Sequence, residues 1–431
     1  MITARDMAMA AAAPPAMPQA PAVPLTERIL LLVLFITVLT SSVAFIEPSP
    51  HDLLMGVLAL ACLVAGVRFQ RTLVVPLILL IIWNFAGVMA LIPVVGQEKT
   101  IQYTGTSIYL AIAAILFACL FSNNTMARLA TMRIAYTLSA IMVAFAGISG
   151  YFNLFPGAEQ LFAPFGRALG SFKDPNVFGP FLIWPTMFIV YRMLTRHIGF
   201  ADLVVSAILL FALLLSFSRG AWFHFVISGL VLIGVAFLTT PNRQVRLRIV
   251  GLSALSLLAL AAILAVLLSF ESIGDMFRER AQLIQSYDVG EGGRFRLQEL
   301  ALSSVLNFPN GMGPFEFARI HGLQQHNVYL QAFLVYGWVG AMAYVLLLLS
   351  TLWVGLRSAF FRTPWQPYAI TAFAAFVGEV AEGFVIDSDH WRHFFLLLGM
   401  IWGLTVATFR PRPRVQAIGG ADWAANATGS L

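Results

Sequence analysis

The sequence predicts an all-α, polytopic membrane protein with about 12 transmembrane helices. Three observations carry this. Of its 431 residues, 59% are hydrophobic and 11% are charged, whereas a soluble domain carries roughly 25% charged residues. The mean hydropathy is +0.84. The apolar residues also fall in runs close to the roughly 20 residues that a spanning helix needs. The net charge of +6 does not point to nucleic acid, because no basic run is interleaved with aromatics. Basic residues between apolar runs instead set membrane orientation.

Residues 1–24 form an Ala/Pro/Met tail containing AAAPPAMPQAPAVP. Such a segment cannot bury a core and is expected to be a disordered cytoplasmic tail. It is not read as a signal peptide, because the apolar run after it is long enough to span and no small-residue cleavage site follows. Spans are expected near 29–46, 52–67, 72–94, 103–121, 133–152, 176–191, 199–216, 220–239, 249–270, 327–356, 367–386 and 393–409. The second and sixth are short, and the tenth is long enough to tilt or project. Together they make one membrane domain, 25–410, followed by a cytoplasmic tail, 411–431. Cys62 and Cys119 sit inside apolar runs without metal-ligand spacing and are expected to be buried thiols.

With the N-terminus placed in the cytoplasm, 16 of the 26 Lys and Arg residues fall inside. They include Arg68/Arg71, Arg128/Arg133, Arg192/Arg196, Arg243/Arg246/Arg248, Arg357/Arg362 and Arg410/Arg412/Arg414. Glu47, Asp52, Glu98, Asp387 and Asp389 fall in outer loops. Two outer loops are long, 153–175 and 271–326. In the second, Ile273, Met276, Phe277, Leu283 and Ile284 share one helical face, as an interfacial helix would. Gly290, Gly292 and Gly293 break it. A second helical stretch is expected around Phe295–Leu306, closed by the turn NFPNGMGPF.

Ten basic residues remain outside, and several occupy particular contexts. Arg219 lies in SFSRGAW, a tight turn between two spans. An arginine there is costly unless it meets an anion or a wet cavity; snorkelling to the interface is the alternative. In GRALGSFKDPNVFGPF, Asp174 is placed to cap a helix whose first residue is Pro175. Lys173 then stands where an anion at that helix N-terminus would bind, with Arg167 nearby. Arg294 and Arg296 follow the glycine break in GEGGRFRLQE; paired guanidinium groups suit a phosphate or diphosphate.

His326 and Asn327 open the tenth span in LQQHNVYLQAF. A histidine kept neutral at a helix N-terminus can take a proton from a hydroxyl; His321 is the rival. Glu379 and Glu382, three residues apart, share a face of the eleventh span. They are read either as functional or as partners of an outer arginine. DSDHWRHFF follows and matches no standard metal spacing, so no metal or other cofactor is expected.

These pieces together resemble the O-antigen ligase and polysaccharide polymerase superfamily. The resemblance rests on SFSRGAW, then GGRFRLQELALSSVLNFPNGMGPFEF in a long outer loop, then HNVYLQAFLVYGWVGAM, then two closing spans, over residues 160–409. Gln298 departs from the pattern, where many members carry Trp. The resemblance implies a GT-C-like fold and a metal-independent inverting glycosyltransferase of the bacterial inner membrane. It implies a glycan donor on undecaprenyl diphosphate at the periplasmic face, and an acceptor that is either lipid A–core (a ligase) or another repeat unit (a polymerase of O-antigen or exopolysaccharide). By the same resemblance Arg219 binds the diphosphate, Arg294 stabilises the leaving group and His326 is the general base. Arg167, Lys173, Arg296, Asn327 and Glu382 are expected to support substrate binding. A solute transporter and a non-catalytic scaffold are the readings from other classes; a transporter tends to place its charges at the bilayer midplane.

Overall fold

The computed structural model describes residues 23–46, 48–196, 198–270, 274, 275, 277 and 293–410. Every regular element among them is helical. In chain order the helices are α1 (Leu25–Leu39), α2 (Pro50–Val64), α3 (Val74–Leu91), α4 (Glu98–Phe121), α5 (Thr125–Tyr151) and α6 (Ala158–Phe162). Then come α7 (Pro175–Phe181), α8 (Ile183–Thr195), α9 (Phe200–Leu215), α10 (Arg219–Thr239) and α11 (Arg243–Leu267). The chain closes with α12 (Arg294–Asn307), α13 (Glu316–His321), α14 (Val328–Phe360), α15 (Gln366–Glu382) and α16 (Arg392–Phe409).

A helix lies at each of the predicted spans. Among the described residues, nine helical segments are long and apolar enough to cross a membrane. The other three places hold shorter helices: α2 with 15 residues, α9 with 16 and α15 with 17. The α12 helix matches the stretch expected around Phe295–Leu306, and the short helices α6 and α13 were not expected. Both tails lie outside the described residues, as do Glu47 and most of the predicted interfacial helix, with Arg278, Arg280, Gly290 and Gly292.

Two spans are broken, and both breaks shape one end of the bundle. The sixth predicted span is α7 followed by α8, which meet at Leu182 between Pro180 and Pro185. Proline lacks the N–H that a continuous helix needs. The tenth was expected to run long and tilt. It does run to 33 residues, but Gly337 inside it has φ 66° and ψ −176°. Only glycine takes that conformation cheaply, and a Cβ there would meet the backbone of Asn310 at 2.6 Å. The turn 308–313 docks at the break: Met312 N–H donates to Leu334 O at 2.6 Å and Trp338 N–H to Pro309 O at 2.8 Å. These bonds satisfy backbone groups that the break frees. The first half of α14 is therefore a separate rod, packed by Leu334 against Leu297, Ala301, Val305 and Phe317 of α12 and α13.

The core is aromatic and close-packed. Trp83 lies within 5.0 Å, centroid to centroid, of both Tyr336 and Tyr344. Glycines let helices approach: a Cβ on Gly399 or Gly403 of α16 would meet a carbonyl of α4 at 2.4 or 2.8 Å. Both cysteines are buried and free. At the opposite end from the site, Arg128 forms a buried pair with Glu27 at 2.8 Å, its guanidinium also donating to Leu120 O. Removing one member strands a buried charge, which costs about 3–5 kcal/mol. Arg128→Ala should therefore lower the unfolding temperature in detergent sharply, whereas a Glu27→Gln, Arg128→Met double variant should recover much of the loss.

Candidate active site

The turn between α9 and α10 carries Arg219. Phe217 is buried with φ 45°, a strained conformation for a bulky residue. Ser218 caps α10, its hydroxyl accepting from Ala221 N–H at 3.3 Å. Arg167 braces the turn from outside: its Nε donates to Ser216 O at 2.8 Å and its Nη2 to Asn176 Oδ1 at 3.1 Å. Ser218 Oγ donates to the same Asn176 oxygen at 2.8 Å. Arg167 and Asn176 thus meet at the turn that carries Arg219, the Arg167 guanidinium bridging a backbone carbonyl and a side-chain amide. Asp174 caps α7, accepting from Asn176 N–H at 2.8 Å, as its position before Pro175 predicted.

A second strand of the site opens α14. Asn327 is the N-cap: its Oδ1 accepts from Tyr329 and Leu330 N–H, and its Nδ2 donates to Phe384 O at 3.1 Å. Both ends of the amide are therefore engaged within the protein, directly beside His326. His326 has φ 48° and a side chain 41% exposed. Its Nδ1 stands 3.5 Å from Asp387 Oδ2. Asp387 Oδ1 accepts from Asn327 N–H at 3.0 Å. Burial pushes the Asp387 carboxyl above the usual carboxylate range, with His326 and Asn327 pulling the other way. His321, the rival, packs on Phe317 with centroids 4.5 Å apart.

The C-terminal end of α15 joins the two. A Cβ on Gly220, next to Arg219, would meet Glu382 Oε1 at 2.8 Å. The following residue, Gly383, accepts from Val328 N–H at 2.8 Å. Glu382 is fully buried and bonds His224 Nδ1 at 2.8 Å, while His224 Nε2 meets Ala375 O at 2.9 Å. Glu379, also fully buried, stands 3.3 Å from His393 Nε2. Among the described residues these glutamates face histidines and not an outer arginine. Glu382 lies behind the Arg219 turn, where it positions and does not reach open surface.

The basic residues of the two long loops divide. Arg294 is the first residue of α12, after the N-cap Gly293; its side chain lies outside the described residues. Arg296 is exposed and pairs with Glu299 at 2.6 Å, so it faces water. Phe277 from the long loop stacks on Trp222 of α10 at 5.3 Å. Lys173 belongs elsewhere, to the wall of a separate cavity. Among the described residues no group of three or more His, Cys, Asp or Glu is placed to hold a metal ion.

Sequence reasoning missed two partners. Asp387 lies 61 positions from His326 and was grouped only with its neighbours in DSDHWRHFF. His224 was passed over, although an ionisable residue inside a span is itself a signal. No curated protein matches the chain. Residues 204–345, which carry Arg219, Arg294 and His326, match the family model described as O-antigen ligase.

Proposed function

We propose that the chain is an inverting glycosyltransferase that moves a glycan from undecaprenyl diphosphate to an acceptor hydroxyl, as an O-antigen ligase does. The observation that carries this reading is the meeting of the Arg219 turn and the His326–Asp387 pair around Glu382 and Gly383. Asp387 Oδ2, 3.5 Å from His326 Nδ1, would orient the ring by taking the Nδ1–H and so leave Nε2 to accept a proton. The acceptor hydroxyl loses its proton to Nε2 as its oxygen attacks the anomeric carbon. The anomeric C–O bond to the diphosphate breaks from the opposite face, and the electron pair leaves with the diphosphate. One displacement inverts the anomeric centre. Charge develops on the leaving diphosphate, where the guanidinium groups of Arg219 and Arg294 would answer it.

In this reading the polypeptide crosses the inner membrane twelve times, both tails are cytoplasmic and the site faces the periplasm. The acceptor is lipid A–core. The test is mass analysis of products from purified protein given a carrier-linked glycan and a set of acceptors. A glycosylated lipid A–core that His326→Asn fails to make is the expected product. Lengthened carrier-linked glycan would identify a polymerase instead, and uptake of a small solute into proteoliposomes by both forms, without any transfer, would sink the enzyme reading.

A further inference from the structure

Three side chains link the His326–Asp387 pair to a second carboxylate in the same loop, Asp389. Gln325 precedes α14, Gln331 lies in its first turns, and Tyr103 reaches them from α4. Gln325 Nε2 donates to Gln331 Oε1 at 2.5 Å, Gln331 Nε2 to Tyr103 Oη at 3.2 Å, and Tyr103 Oη to Asp389 Oδ2 at 2.6 Å. The other hydrogen of Gln325 Nε2 is left for Asn327 O and Asp387 Oδ1, each at 3.5 Å. We propose that Gln325 and Gln331 are positioning residues for His326, an inference that rests on the glycan-transfer reading above.

The direction of both amides is set from the far end of the chain of bonds. Burial raises the Asp389 carboxyl, but His390 at 3.2 Å and the Tyr103 hydroxyl outweigh it and hold it below the usual carboxylate range. An ionised carboxylate only accepts. The one hydroxyl hydrogen of Tyr103 goes to it, so Tyr103 Oη accepts from its other neighbour. Gln331 therefore turns Nε2 towards Tyr103 and Oε1 towards Gln325, and Gln325 in turn presents Nε2. The side of Gln325 that faces Asp387 is thus a donor. A reversed amide would set an oxygen against the carboxylate that takes the His326 Nδ1–H. Bonds that run head to tail also polarise one another.

The backbone at His326 needs such support. Its φ of 48° is costly for a residue with a side chain. On one side Asn327 is tied to Phe384 O through Nδ2 and to Asp387 Oδ1 through its N–H. On the other side Gln325 is tied to α14 through Gln331. The strained residue is held between two anchored neighbours. Gln325 is 0% exposed and Gln331 4%, so neither meets substrate, and both act through His326 and Asp387.

The test compares Gln331→Met and Gln331→Glu in the purified full chain, both monodisperse by gel filtration. Methionine fills the space without these bonds; glutamate can accept from Gln325 but cannot donate to Tyr103. Each should lower kcat about tenfold, the worth of one or two hydrogen bonds, with KM for donor and acceptor unchanged. Gln325→Met, which leaves α14 intact, carries the same expectation if a Gln331 variant does not fold. In the His326→Asn background Gln331→Met should cause no further loss, because it acts through the missing imidazole. A readout without substrate is the ring-nitrogen spectrum of histidine-labelled protein, in which His326 is identified by its absence from His326→Asn. The Nδ1 signal of His326 should move in both Gln331 variants at fixed pH, and the signals of His321 should stay. Folded variants with wild-type kcat, an unmoved Nδ1 signal, a wild-type Gln331→Glu, or a full further loss in the His326→Asn background would overturn the positioning role. A moved Nδ1 signal in a protein whose wild type transfers no glycan would uphold the link from Gln331 to His326 and refute the transfer reading.

Discussion

His326→Asn should slow glycan transfer by about 10²–10⁴-fold, the range for loss of a positioned general base, with expression level and unfolding temperature unchanged. Asparagine is the informative replacement because His326 has φ 48°; asparagine tolerates the left-handed region better than alanine, so lost activity is not lost fold. Asp387→Asn should reproduce much of the loss, since an amide cannot hold the Nδ1–H in the same way. The pH dependence separates chemistry from structure. Burial raises the Asp387 carboxyl above the usual range, so as pH falls the carboxylate is lost earlier than a solvated one would be, and activity should fall with it. Stability has the opposite sign. A carboxyl whose folded pKa lies above its unfolded value contributes stability below the unfolded pKa and loses it as pH rises through the folded one. Asp387→Asn should therefore be inactive yet at least as stable as wild type at neutral pH. A variant that is both active and less stable would show that Asp387 serves the fold alone.

Asp387 stands in the sequence as an outer-loop acid, but its partner His326 lies 61 positions away. The spans were legible because each is a local property: a run of apolar residues needs no partner to be recognised. The Asp174 cap was legible for the same reason, since it acts on backbone two residues away; Asn327, expected only to support substrate binding, is also the N-cap of α14. Arg219 and His326 stood out because charge and imidazole are unusual beside a span. What stayed hidden depends on contacts distant in sequence. Glu382 was visible as a buried-span acid, yet its partner His224 lies 158 positions earlier. Arg167 stands out as an outer cation, but its bonds to Ser216 O and Asn176 Oδ1 leave no local trace in the sequence. The break in α14 had a local trace, the glycine of YGWVG, but its meaning depends on the turn 308–313 docking into it.

Arg219→Ala should lower transfer by about 10²–10³-fold, the effect of removing one preorganised donor from a developing anion, and Arg219→Lys should recover little of it. Lysine keeps the charge but not the planar fork that grips two oxygens of a diphosphate at once. Direction is fixed by the turn as much as by the side chain. Phe217 sits buried at φ 45°, Ser218 caps α10, and Arg167 clamps the Ser216 carbonyl just before them. Behind it Gly220 leaves no room for a Cβ against Glu382, so the first turn of α10 cannot rotate freely. Arg167→Ala should then act through Arg219: a smaller loss, with KM for the carrier-linked donor raised, and no further loss when combined with Arg219→Ala. If the two losses instead multiply, Arg167 contacts the diphosphate itself and the clamp is not its main role. If Arg219→Lys matches wild type, the site needs only a point charge there, and bidentate recognition of the leaving group is wrong.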